Sequence, residues 1–299
     1  MSRLEEALRS GDFVVTGEVG PPKGTDLQGC LQEAGVLRDR VNAINVTDLQ
    51  SSVLRVGSLA VCARLAGMGV EPVFQLTCRD RNRLALQADL LGAWTLGIKN
   101  VLCLTGDHPV LGDHPEAKAV FDLDSVQLLK TIDGLNHGRD LAGHELEGAP
   151  DFFAGAVVNP GADPLEPQLI KMEKKIAAGA RFFQTQAVFE PEKFARFMEK
   201  TRVYQTPVLA GIVILKSAAM ARFMNQNVAG ISVPEELIKE LEATPKGRLK
   251  QKSVEIAARI IKELKGICQG AHIMPLGWTG LVPEILEMAG LLETVGAAR

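Results

Sequence analysis

Eight short apolar runs rich in β-branched residues recur along this 299-residue chain, at positions 13–16, 43–46, 72–76, 101–104, 152–157, 181–185, 208–212 and 271–274. Nearly all are separated by stretches with apolar residues three and four apart, at 27–37, 57–66, 83–94, 125–132, 165–178, 191–201, 218–226 and 254–264, the spacing of a helix that buries one face. Parallel strands need such crossovers, and strand and helix alternating eight times predicts a closed (β/α)8, or TIM, barrel. An open doubly wound sheet would not need eight repeats and would carry a Gly-x-Gly-x-x-Gly turn after an early strand; the sequence has none. Positions 3–8 predict a short helix plugging the barrel floor, and 234–242 an extra helix before the last barrel helix. The whole chain, 1–299, reads as a single domain, because α/β barrels of about 250 residues fold around one core.

Composition narrows the function class. Hydrophobic residues at 46% and charged residues at 23% describe a globular chain and exclude disorder. The net charge of -3 arises from 33 basic and 36 acidic residues without long blocks of one sign, so a nucleic-acid footprint is not expected. The basic clusters at 171–175 and 246–252 read as solvated helix faces, with a phosphate contact as the other reading. The longest apolar runs are strand length and the first residues alternate charge with leucine, so the expectation is a cytoplasmic protein with neither membrane span nor signal peptide. Cys30, Cys62, Cys78, Cys103 and Cys268 lie at scattered spacings without a Cys-x-x-Cys or a zinc-type Cys/His pair, and are expected as reduced thiols with no metal. Cys62 and Cys103 fall in apolar segments, where cysteine acts as a small hydrophobe.

The candidate chemistry lies where the strands end. Glu18, Asp107 and Gln186 each close an apolar run, and a closed parallel barrel brings all carboxyl-terminal strand ends to one face. The chain is therefore expected to be an enzyme. A carboxylate against an apolar wall, as Glu18 would be, is suited to general acid work, although a surface or capping acid would fit the same position. Gly106 allows the backbone to approach a flat ligand closely, and Asp107 beside it could bind donor edges of a heterocycle or cap a turn before Pro109. The Gln186 amide offers both a donor and an acceptor. His272 and Trp278 flank the turn after the last strand, as rim residues or as core. The irregular segments 108–124 and 136–150 are candidates for ligand contacts or simple surface insertions.

Glu-x-x-Pro-Pro, Leu-Thr-Cys, Gly-Asp-x-Pro, Ala-Gly-Ala with Gln-x-x-Phe-Glu, and Gly-Ile-x-x-Leu follow one another at successive strand ends. Taken together, this set resembles the methylenetetrahydrofolate reductase family, from Gly17 to roughly Ile285, and is similar to its short microbial catalytic form. The resemblance implies a flavin across the top of the barrel with a folate stacked on it, and reduction of 5,10-methylenetetrahydrofolate to 5-methyltetrahydrofolate by hydride from the reduced flavin N5. Glu18 matches the family's general acid for opening the folate ring at N10. Asp107 matches the aspartate that favours the cationic iminium, and Gln186 the glutamine that reads the pterin. Thr47, Gln75, Leu76, Thr77, Thr105, Gly106, Asp107, Asn159, Asp163, Lys171, Lys174 and Lys175 match positions that hold the flavin, Lys174 and Lys175 facing phosphate.

Several of these positions depart from the family pattern. Gln75 stands where a histidine is common, Thr105 where an arginine is, and Asn159 where a tyrosine is, which leaves FMN beside FAD as the expected flavin. Ala218 takes the place of an aromatic residue associated with nicotinamide stacking, so the electron donor is expected to be either NAD(P)H or a redox partner subunit, in an oligomer or hetero-complex. A pterin-binding methyltransferase barrel and a subunit that only docks an electron-transfer partner are the competing readings. Methyl transfer has no ring-opening step, so Glu18 with Pro21 and Pro22 favours the reductase.

Overall fold

The computed structural model describes residues 1–292, in which eight parallel strands pair each with the next until the last closes on the first. The strands are β1 (Val14–Val19), β2 (Ala43–Val46), β3 (Pro72–Thr77), β4 (Asn100–Leu104), β5 (Phe153–Val158), β6 (Phe182–Ala187), β7 (Val208–Val213) and β8 (Gly270–Met274). Helix α1 (Arg3–Ser10) precedes the barrel. The next six connect successive strands: α2 (Gln28–Leu37), α3 (Ser58–Gly67), α4 (Arg83–Thr95), α5 (Ser125–Asn136), α6 (Glu166–Ala177) and α7 (Pro191–Thr201). Three helices, α8 (Ala218–Asn227), α9 (Glu235–Glu242) and α10 (Leu249–Leu264), separate β7 from β8, and α11 (Val282–Met288) follows β8.

The barrel floor is apolar. Val14, Ala43, Val73, Leu102, Phe153, Phe182 and Leu209 form one cluster, closed from below by Leu4 and Leu8 of α1. That helix is fixed locally by the Ser2 hydroxyl, which accepts from Glu5 N, and by Gly11 in the left-handed conformation at its end. Its leucines lie four apart on one face, and Glu5 ties it to the barrel through Arg181 at 2.5 Å. Phe182 stacks on Phe153 with centroids 5.0 Å apart. Gly155 makes room for it, since a Cβ there would lie 2.3 Å from the Phe182 ring.

A second, larger cluster fills the space between the outer strand faces and the helices, including Ile44, Phe74, Val101, Leu65, Leu90 and Ile132. All five cysteines are free and buried, Cys62 and Cys103 within this layer. Among the described residues no helix is long and apolar enough to cross a membrane.

The elements differ from the sequence expectation in ways that have physical causes. Strands β1 and β6 run on to Val19 and Ala187, so Glu18 and Gln186 lie inside strands. Polar side chains interrupt the apolar signal there because the inner face changes from core to site. Helix α10 begins at Leu249, five residues before the apolar periodicity, because Lys250, Gln251 and Lys252 present a polar face. The helix after β8, α11, has only seven residues and was not expected, whereas the eighth expected helix lies before β8. The 136–150 segment links α5 to β5 and therefore sits at the amino-terminal end of the barrel, away from the strand ends that carry Glu18 and Gln186.

Candidate active site

Above the apolar floor the barrel interior turns polar. Asn45 of β2 and Gln184 of β6 reach across the barrel and exchange amide bonds, Nδ2 to Oε1 at 2.8 Å and Nε2 to Oδ1 at 3.1 Å. Gln184 Nε2 also donates to Thr16 Oγ1 at 3.3 Å, and Thr16 Oγ1 lies 2.9 Å from His272 Nδ1. Thr16 and His272 are register partners on β1 and β8. All four residues are buried and each of their buried polar side-chain atoms has a partner, as a buried polar layer requires.

Glu18 stands two residues above Thr16 on the same inner face of β1. Its side chain is 11% exposed, Gln75 Nε2 of β3 donates to its Oε2 at 3.3 Å, and His272 Nε2 lies 3.5 Å from the same oxygen. Gln186 is exposed two residues above Gln184, beside a register shift between β6 and β7. Thr185 holds that irregularity, since its hydroxyl accepts from Gly211 N at 2.9 Å and donates to Gln186 O at 2.7 Å. Bulges near barrel rims redirect side chains, and this one presents Gln186 at the mouth.

Asp48, two residues past the end of β2, organises the rim between β2 and β3. Its buried carboxylate accepts from Thr77 N at 3.0 Å, Thr77 Oγ1 at 2.8 Å, Ser58 Oγ at 3.1 Å and Arg81 Nη1 at 2.8 Å. Burial opposes the Arg81 charge, but Asp48 overrides it and the guanidinium is held above its ordinary value. Thr47, one residue earlier, is 3% exposed, and its hydroxyl has no hydrogen-bond partner. An unmade buried bond of this kind costs free energy and marks a place where a ligand atom would be welcome.

Across the mouth, Arg79 is 1% exposed and holds two loops by their carbonyls, Leu49 O and Asp107 O, each at 3.3 Å. Gly106 has φ +92°, and a Cβ there would press on Arg79 and Thr77 at 3.1 and 3.2 Å. The Asp107 carboxylate projects from this braced turn and is exposed. Thr105 Oγ1 donates to Ser125 Oγ at 3.2 Å, at the start of α5, and Leu76 packs in the core. The 108–124 segment folds onto the loop after β2, where Asp113 accepts from Leu54 N at 2.9 Å and pairs with Lys23 from the loop after β1.

The remaining positions expected to hold the flavin, with Lys174 and Lys175 expected to face phosphate, divide. Lys171 and Lys174 on α6 and Asp163 before it are exposed. Lys175 is buried, with Nζ donating to Val157 O at 2.6 Å, and burial, with Lys171 adding to it, pushes its ammonium down to about 8. The Asn159 amide is committed to neighbouring backbone, donating to Ala229 O at 3.1 Å and accepting from Gly161 N at 3.1 Å. The structure thus brings Glu18 and Gln75 together directly, and sets Thr47, Thr77, Asp107 and Gln186 at the same end of the barrel. Sequence reasoning missed Asp48, Arg79, Asn45 and Gln184. A signal for the last two existed, since polar residues two positions before Thr47 and Gln186 share their strand face.

Residues 3–290 match the methylenetetrahydrofolate reductase family model. Methylenetetrahydrofolate reductase 2 of Schizosaccharomyces pombe is 28% identical over 240 residues, 73% of this chain and 35% of that protein. A probable methylenetetrahydrofolate reductase (NADPH) of Caenorhabditis elegans is 24% identical, over 86% of this chain and 37% of that protein. The chain thus aligns with little more than a third of the length of these relatives. A Clostridium thermocellum protein whose structure is described as binding two copies of 5-methyl-5,6,7,8-tetrahydrofolic acid shares the fold, with TM-score 0.64 and 16% identity over 98% of this chain and 100% of that one. With a match that spans the barrel from α1 to the end of α11, the chain belongs to the methylenetetrahydrofolate reductase family.

Proposed function

We propose that the chain reduces 5,10-methylenetetrahydrofolate to 5-methyltetrahydrofolate at the mouth formed by Glu18, Asp107 and Gln186. The observation that carries this reading is the Glu18 carboxyl, nearly enclosed at the end of β1 with one oxygen engaged by Gln75. A carboxyl so placed can hand a proton to a bound ligand in a site that excludes most water. Glu18 protonates N10 and the five-membered ring opens. The exposed Asp107 carboxylate, braced by Arg79 through its own carbonyl, stabilises the cationic iminium that results. The Gln186 amide orients the pterin by its edge.

The family implies a flavin, and the ring end of the site fits one. Thr47 offers a buried hydroxyl without a partner, Gln75, Thr77 and Thr105 stand at the strand ends beside it, Gly106 lets its turn pack against Arg79 and Thr77, and Leu76 faces outward into the layer beneath the helices. When bound, the flavin supplies the hydride. At the phosphate end Lys174, with Lys171 near it, is exposed and can face a phosphate, Asp163 is left for the flavin's hydroxyl groups, Lys175 is committed to Val157 O, and the Asn159 amide is already spoken for. That arrangement supports a flavin held mainly by its ring and phosphate, FMN as well as FAD. The electron donor is NAD(P)H or a partner subunit with its own redox centre, and Ala218 on α8 offers no aromatic surface to a nicotinamide.

Reconstitution with FAD and with FMN tests the reading, followed by the visible spectrum and the mass of the extracted chromophore. A yellow protein with one flavin per chain is expected, and a chain that takes up neither flavin overturns it.

A further inference from the structure

We propose that His272 is a positioning residue for Glu18: it presents an Nε2–H to Glu18 Oε2 and so places the acid proton on Oε1. The inference rests on the reading of Glu18 as proton donor, and it follows from the direction of the hydrogen bonds beneath it. Barrel interiors are ordinarily filled by branched apolar side chains. Here Thr16, Asn45, Gln184 and His272 replace them with a satisfied polar layer.

The direction can be read bond by bond. Gln184 Oε1 accepts from Asn45 Nδ2, so its Nε2 is the donor to Thr16 Oγ1. With Gln184 donating to the Thr16 oxygen, the Thr16 O–H is left to donate, and we assign His272 Nδ1, 2.9 Å away, as its acceptor. A neutral imidazole whose Nδ1 accepts must carry its proton on Nε2. Nε2 is the atom 3.5 Å from Glu18 Oε2, and Gln75 Nε2 approaches that same oxygen at 3.3 Å. Catalytic contacts of this length commonly tighten when substrate binds.

Two N–H groups therefore converge on Oε2, leaving Oε1 as the oxygen that holds the proton. When Oε1–H gives its proton to the folate nitrogen, whose lone pair forms the new N–H bond, Glu18 is left as a carboxylate. The charge then meets two donors already in place. In this role His272 orients the carboxyl and takes no part in the proton transfer. Its burial at 3% exposure and its bond to Thr16 keep the ring from turning.

The test uses the full chain labelled with 15N-histidine, in which the five histidines are resolved and His272 is assigned by its loss in His272→Gln. At neutral pH the His272 nitrogens are expected as the Nε2–H tautomer, and Thr16→Val, which removes the donor to Nδ1, is expected to mix the two tautomers. Kinetics of the flavin-loaded chain supply the second readout. His272→Asn keeps a polar atom near Thr16 and loses the one facing Glu18, while His272→Gln puts an amide where Nε2 was. The Asn variant is expected to lose about tenfold or more in kcat and the Gln variant less than about threefold, with the folate KM changed less than about twofold in both. Combined with Glu18→Gln, the Asn change is expected to add less than about twofold.

An Nδ1–H tautomer, equal losses in the two amide variants, or losses that multiply with Glu18→Gln would overturn the proposal. Absence of any folate turnover in the wild-type chain would instead end the functional reading, and the tautomer measurement would still decide the orientation of His272.

Discussion

Gly211 lies directly against the bulge that presents Gln186: a Cβ built on Gly211 would stand 2.8 Å from Gln186 O and 2.4 Å from Thr185 O. The backbone of β6 cannot bend past β7 at this point if residue 211 carries a side chain. Gly211→Ala is expected to cost about 1–3 kcal/mol of stability through overpacking, and to weaken folate binding by displacing Gln186. Urea unfolding and a folate titration check both parts. Wild-type folate affinity in a destabilised variant would show that Gln186 does not read the ligand.

The Thr47 hydroxyl makes a prediction with opposite signs for the free and the loaded protein. Thr47→Val keeps the shape and removes a buried donor that has no partner, so the flavin-free chain is expected to gain about 1 kcal/mol. Flavin affinity is expected to fall about five- to tenfold. Thermal melts of the flavin-free protein and fluorescence titration with flavin measure the two effects. A variant that is less stable and binds flavin equally well would remove Thr47 from the site.

Lys175 makes stability depend on alkaline pH. Its ammonium is pushed from the ordinary 10.5 down to about 8 by burial, so the folded state releases a proton that the unfolded chain still holds. Below about pH 8 the penalty is fully present, and stability rises with pH through the window up to about 10.5, where both states are neutral. Lys175→Met is expected to be more stable than wild type at pH 7 by up to about 3 kcal/mol, less the lost bond to Val157 O, with the advantage shrinking towards pH 10. Urea unfolding at both pH values checks the sign. A Met variant less stable at pH 7 would mean that the Val157 bond outweighs the buried charge.

The barrel was legible in the sequence because eight apolar strands and their helical crossovers follow two distinct periods. Glu18, Asp107 and Gln186 were legible as strand-end residues, and the structure sets them at one end of the barrel. What escaped was tertiary. Asp48 meets Thr77 and Arg81 from different loops, and Arg79 braces two turns by their carbonyls, neither of which leaves a spacing in the chain. The partnership of Thr16 with His272 spans 256 positions and exists only because β8 closes on β1. Helix α11 is too short to show a period of its own.

A single-turnover experiment on wild type and Glu18→Gln bears most directly on the central claim. Flavin-loaded protein is reduced with dithionite, freed of excess reductant, and mixed without oxygen with 5,10-methylenetetrahydrofolate while the flavin band and the folate product are followed. In wild type the flavin band should return with formation of one 5-methyltetrahydrofolate per flavin. In Glu18→Gln the flavin should bind and reduce normally while its reoxidation slows by about two to four orders of magnitude, the usual cost of losing a general acid. Reoxidation at the wild-type rate in the variant, or a wild-type flavin that stays reduced in the presence of the folate, would contradict the account.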